Sequence, residues 1–217
     1  MERYKDFREA QLILNSRIFD YSVDKFGMEI LRYCADYIDM MGDVDELIYD
    51  EMYLPFLLDF LIYEHLVDGK KIYQLFRENN MISQLEAEIL NSYDNSYLSL
   101  FRVVNKSESK NLIFLRDLLE DRKNIRLTDI LFSKTLEGNP ILFTRVLPYE
   151  GMYITSGMSG IFDDLILIRL VDNFKGFRRD VIKENGIEEK EKMENTLRMI
   201  YFLNAYRDIG IDVYYED

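Results

Sequence analysis

The spacing of apolar residues changes rhythm twice along this chain of 217 residues, and those two changes set its architecture. Over residues 3–18, Tyr4, Phe7, Gln11, Leu14 and Ile18 recur at helical spacing, with Lys5, Arg8 and Glu9 on the other side. Ser22 or Asp24 is expected to cap a second helix that carries Phe26, Ile30, Cys34, Ala35, Ile38 and Met41 and ends at Gly42. Asp43 or Asp45 opens a short helical segment, and Pro55 resets the chain before a helix over 56–66. Ile72, Leu75 and Phe76 mark another short helix, and a further one covers 83–91.

At Ser92 the rhythm becomes β-rich. Two runs, 98–104 and 112–119, flank a polar Asn-Lys-Ser-Glu-Ser-Lys loop, which is a hairpin signal. Residues 126–135 are expected to add one or two short strands. Gly138-Asn139-Pro140 turns the chain into 141–147, and 148–151 turn it back into 152–156. Gly157-Met158-Ser159-Gly160 then reads as a β-to-α turn. Beyond it Phe162, Leu165, Ile166, Ile168, Leu170 and Phe174 predict a largely buried helix reaching about 184. Asn185-Gly186 breaks it, a last helix spans 188–208, and the tail IDVYYED is a candidate edge strand. The expectation is an α+β protein with an N-terminal helical bundle (1–93) and a small antiparallel β-sheet or partial barrel (94–158). C-terminal helices (159–217) pack back onto them, and with no long linker these pieces are expected to share one body.

Charge narrows the function classes. There are 40 acidic and 27 basic side chains, a net charge of −13, which argues against a nucleic-acid or anionic-membrane partner. The acids are concentrated: residues 33–69 contain ten of them and no Lys or Arg. In the opposite sense, residues 169–183 carry a net charge of +3. Arg122, Lys123 and Arg126 offer the β unit a basic edge, against which the surrounding negative field weighs. The longest apolar run, 54–63, is interrupted by Asp59 and is too short for a membrane span, which needs about 20 residues. One cysteine, Cys34, excludes a disulfide framework within the chain. The charged start MERYKDFREAQ lacks the pattern of an export signal, so a cytoplasmic location is expected.

Two blocks carry a resemblance. The first is Leu54-Pro55-Phe56-Leu57-Leu58-Asp59-Phe60-Leu61-Ile62-Tyr63, with Asp68-Gly69-Lys70-Lys71-Ile72-Tyr73-Gln74-Leu75-Phe76 after it. The second starts at Asn91-Ser92-Tyr93-Asp94-Asn95-Ser96-Tyr97 and runs through Leu115-Arg116-Asp117-Leu118-Leu119 to Thr144-Arg145-Val146-Leu147-Pro148. Together they resemble a loose group of bacterial proteins of unknown function that often end in the zinc-binding SEC-C motif. This chain has no cysteine after Cys34, so that zinc cluster is absent, and the resemblance implies no activity.

No catalytic, cofactor or metal residue is assigned. His65 is the only histidine, and although Glu64 and Asp68 lie nearby in sequence, adjacent helical residues face different sides. The 157–161 segment has Ile161 where a nucleophile elbow needs glycine. Asp43-Val44-Asp45 starts like a calcium loop but lacks its glycine. Tyr149, Tyr153, Tyr201, Tyr206, Tyr214 and Tyr215 read as ordinary composition.

The expected interaction surface is Asp36, Asp39, Asp43, Asp45, Glu46, Asp50 and Glu51. Asp59, Asp117 and Arg145 interrupt apolar segments and should form a structural polar core, with Asp59 or Asp117 paired to Arg145. These readings favour a non-enzymatic adaptor or regulator that binds a basic protein partner. Two alternatives are an acidic nucleic-acid mimic that inhibits a nuclease or a nucleic-acid-binding protein, and a metal-dependent enzyme with a carboxylate site.

Overall fold

The structure, a computed structural model, describes residues 2–40, 48–185 and 190–210. The chain divides into two compact units, Met1–Ser96 and Tyr97–Asp217.

The first unit is helical. Helix α1 (Glu2–Phe26) buries Tyr4, Phe7, Gln11, Leu14 and Ile18, the stripe that its spacing predicts, and adds Ser22. The expected break at Ser22 or Asp24 is absent because Ser22 is buried and its hydroxyl donates back to the Phe19 carbonyl within the helix. The helix ends one turn later at Gly27, whose φ of +75° reverses the chain. Helix α2 (Glu29–Tyr37) follows, and the backbone then turns at Asp39, which has a φ of +56°. The expected helix end at Gly42 and the helical start at Asp43 or Asp45 lie outside the described residues. Helix α3 (Leu54–Tyr63) starts with Pro55 in its first turn and is buried on nearly every side, from Phe56 to Tyr63. A short hairpin of β1 (Leu66–Val67) and β2 (Lys70–Lys71) leads to α4 (Ile72–Asn79) and α5 (Gln84–Asp94). Ser83 caps α5 by accepting from the Glu86 amide, and Glu86 accepts in return from the Ser83 amide. A cluster of phenol rings in tilted and edge-to-face contact, Tyr63, Tyr73 and Tyr93, joins α3, α4 and α5 at centroid separations of 4.8–6.2 Å.

The second unit is built on a closed barrel of β3 (Tyr97–Ser107), β4 (Leu112–Asp117), β5 (Ile125–Thr128), β6 (Ile141–Tyr149) and β7 (Met152–Phe162). Around the barrel the order is β3-β4-β5-β7-β6, closed by the β6–β3 pairing. Every pairing is antiparallel except β5–β7, which is parallel. Helix α6 (Ile130–Thr135) bridges β5 and β6 where further strand had been expected. Asp129 starts that helix by accepting from the Phe132 amide at 2.8 Å. This connectivity is that of the OB-type Greek-key barrel. Phe101, Val103, Ile113, Leu115, Leu127 and Val146 fill the interior, and Phe132 and Leu136 cap one end.

Strand β7 runs straight through the segment 157–160, so no β-to-α turn exists there. Opposite Arg145 of β6, β7 carries three residues, 156–158, between the Thr144–Ser159 and Val146–Thr155 pairs. This bulge, with Gly157 at a φ of +114°, bends β7 enough to close the barrel.

Helices α7 (Leu167–Asn185) and α8 (Lys190–Ile209) complete the unit. Phe202 of α8 packs on Phe143 of β6 and on Phe174 of α7, each at 5.0 Å. The segment entering α7 is less buried than its sequence suggests, since Leu165 and Ile168 are 92% and 78% exposed. No helix among the described residues is long and apolar enough to cross a membrane.

Candidate functional site

The acidic segment is only partly described. Asp43, Asp45 and Glu46 lie outside the described residues. Asp36 and Asp39 are exposed at the end of α2, and Glu51 is exposed and Asp50 half-buried on the approach to α3. Asp50 is partly committed to its own turn, accepting from the Met52 and Tyr53 amides at 2.8 and 3.3 Å. The structure adds what the charge count missed. Tyr33 and Tyr37, one helical turn apart on α2, are 67% and 56% exposed beside Asp36, and Tyr49 is exposed before Asp50. Tyr37 stacks on Phe60 of α3, which fixes its ring while leaving most of it in solvent. The signal was present in the sequence as tyrosines at i and i+4 within the acidic run.

His65 follows the end of α3, half-buried and 6.5 Å from the Phe60 ring, and burial holds its pKa below the usual histidine value. Glu64 instead lies 3.7 Å from the Lys71 ammonium. Among the described residues, no three His, Cys, Asp or Glu side chains stand where they would share a metal ion. Cys34 is fully buried, and desolvation pushes its thiol up to about 12.

Asp59, Asp117 and Arg145 are all buried, at 4%, 7% and 0% exposure. Asp59 lies in the helical unit, where its charge acts on the buried Tyr93 phenol; burial is the larger cause of that phenol's raised pKa. The Asp117 carboxylate is engaged by groups other than Arg145, with Arg122 its ion partner at 4.0 Å. Its Oδ1 accepts from the Ser99 hydroxyl at 2.7 Å and from the Leu119 and Glu120 amides at 3.0 and 3.2 Å, which ties down the chain leaving β4. Arg145 sits at the bulge in β6, opposite Leu98 of β3.

A second candidate lies at the barrel end opposite α6. Strands β3, β5 and β7 run the same way, and their starts bring Tyr97, Ile125 and Tyr153 to that mouth. A cavity of about 480 Å³ opens there, walled by Tyr97, Tyr153, Arg122, Lys123, Arg126 and Gly151. The two tyrosine rings meet edge to face at 6.1 Å, and the Arg122 guanidinium lies 4.2 Å above the Tyr97 ring. Arg122 also donates to Glu120, which accepts from Arg198 as well. Burial alone would raise the Glu120 carboxyl, but the hydrogen bonds from these two arginines outweigh it and hold the group below the usual glutamate range. The Tyr97 hydroxyl is buried with no hydrogen-bond partner among the described residues.

Fold and sites together define an α+β protein that joins an acidic helical unit to a closed OB-type barrel with a basic, aromatic mouth. The chain belongs to the Family of unknown function (DUF7986), whose model matches residues 1–216. No curated protein and no solved structure matches it.

Proposed function

We propose that this protein is a non-enzymatic adaptor or regulator whose helical unit binds a basic segment of a protein partner. The observation that carries the reading is the outer face of α2, where Tyr33 and Tyr37 stand exposed beside Asp36 and next to Asp39. Tyrosine supplies broad contact area at low entropic cost and is enriched where proteins bind one another. Flanking carboxylates steer Lys and Arg side chains onto those rings, where cation–π contact adds affinity. The tyrosines also favour this reading over a phosphate mimic, which needs carboxylates without a ring surface between them. The tie to SEC-C proteins, whose zinc cluster this chain lacks, rests on sequence resemblance alone.

Affinity capture from the native host tests it, using as baits the natural chain and a Tyr33→Ala/Asp36→Lys variant. Both positions are exposed, so the folded state should shift by less than about 0.5 kcal/mol. A protein retained by the natural chain at low salt, released at high salt and absent from the variant supports the reading. An identical set of proteins on both baits contradicts it.

A further inference from the structure

We propose that the barrel binds single-stranded nucleic acid, along the outer face of β4 and β5 and into the cavity at the barrel mouth. The net charge of −13 is a poor guide to this surface. Residues 1–96 carry −11 of it, whereas the barrel segment 97–162 has nine Lys and Arg against seven Asp and Glu. At physiological ionic strength screening acts over roughly 8 Å, so the charges nearest a bound phosphate weigh most.

Those side chains are uncommitted cations. Most arginines elsewhere in the chain are neutralised: Arg17 by Glu86, Arg77 by Asp94, Arg178 by Glu194 and Arg102 by Asp164. Arg116 of β4 and Lys123 before β5 are exposed with no ion pair among the described residues, and the exposed Arg126 makes only a long contact of 3.4 Å to the Gly151 carbonyl. In a chain with an excess of acids, three adjacent cations left without a carboxylate are a surface arranged for an external anion.

Aromatic rings accompany them. Phe114 of β4 lies directly opposite Arg126 of β5, and Arg116 projects from the same face two residues further along β4, about 7 Å away. From Arg126 the track enters the cavity, whose volume of about 480 Å³ lies within the range of small-ligand sites and whose wall carries Tyr97 and Tyr153. The Tyr97 and Tyr153 rings at that wall offer faces and edges on which a base can stack. Cations alternating with rings are what an extended strand of stacked bases and phosphates requires. A free nucleotide would use the cavity and leave Phe114 and Arg116 idle.

Fluorescence anisotropy of a labelled oligonucleotide of about 12 residues, within the span of roughly 4–16 nucleotides such barrels cover, tests the proposal on the full chain. Lys123→Glu/Arg126→Glu should weaken binding at least tenfold. Because both side chains are exposed, its melting curve should match that of the natural chain. Uridine monophosphate and polyglutamate should compete far less well than unlabelled single strand, and a duplex of equal length should bind more weakly. No anisotropy change at about 100 µM protein, the weak end of non-specific binding, overturns the proposal. So does binding that survives the charge reversal, or equal competition by the mononucleotide or the polyglutamate. None of these variants touches α2, so failure here leaves the protein-binding reading to its own test.

Discussion

Asp117 and Arg198 show how single polar side chains organise the barrel. Removing the Asp117 carboxylate by Asp117→Ala leaves the Leu119 and Glu120 amides and the Ser99 hydroxyl without their acceptor. The expected loss is about 2–4 kcal/mol in urea unfolding, with Asp117→Asn, which keeps one acceptor, costing less than half as much. Arg198 is 3% exposed and donates to the Leu98 carbonyl at 2.6 Å and to Glu120 and Glu194. Arg198→Met should destabilise by about 1.5–3 kcal/mol, because the Leu98 carbonyl loses this donor while Glu120 and Glu194 keep Arg122 and Arg178. Glu120 also sets a pH dependence. Its carboxyl is depressed in the folded state, so the stability it contributes is present above its unfolded value of about 4.5 and is lost as pH falls through the folded pKa. Melting temperature against pH should therefore fall less steeply below that value in Glu120→Gln than in the natural chain. A hydrophobicity pattern marks Asp59, Asp117 and Arg145 as polar residues in apolar runs, but not which backbone amides they serve. Asp117 serves amides two and three residues ahead of it and the Ser99 hydroxyl on the neighbouring strand, partners that an apolar pattern does not name.

At the scale of elements, the helices were legible wherever burial is one-sided. The α1 stripe follows from its spacing, whereas α3, buried on nearly every side, is marked by its apolar run and by the proline in its first turn. Two glycines with positive φ act differently. Gly27 ends α1 because the chain must reverse, whereas Gly157 does not end β7. Its positive φ serves a bulge inside the strand, and periodicity cannot tell a bulge from a turn. Gly157→Ala should thus cost about 1–2 kcal/mol although there is open space around the added methyl, since the penalty is conformational. Comparing it with Gly176→Ala in chemical unfolding checks this, since that position in α7 has no positive φ and its nearest neighbour would be 3.9 Å from the methyl. Helix α6 was missed because a six-residue segment, Ile-Leu-Phe-Ser-Lys-Thr, has no period to read. Only its capping residue Asp129 announced it. The exposed Leu165 and Ile168 mark the same limit, as helical spacing does not say whether anything covers the face it defines.

For the molecule as a whole, charge was legible in its amount and only partly in its placement. The acidic run, which could be counted from sequence, belongs to the helical unit, and residues 97–217 carry only −2. What the count could not supply was the company these charges keep: tyrosines beside Asp36 and Asp39, and rings beside Arg122 and Arg126. The account therefore assigns two surfaces of opposite sign to two units of one chain, each with aromatic side chains among its charges. Amide chemical-shift mapping of the isotope-labelled chain tests this most directly, by separate titrations with a Lys- and Arg-rich peptide and with a single-stranded oligonucleotide. The account predicts shifts at Tyr33, Asp36, Tyr37 and Asp39 for the peptide, and at Phe114, Arg116, Lys123 and Arg126 for the oligonucleotide. Shifts from both ligands at one common surface, or a peptide response spread evenly over every acidic residue, would contradict it.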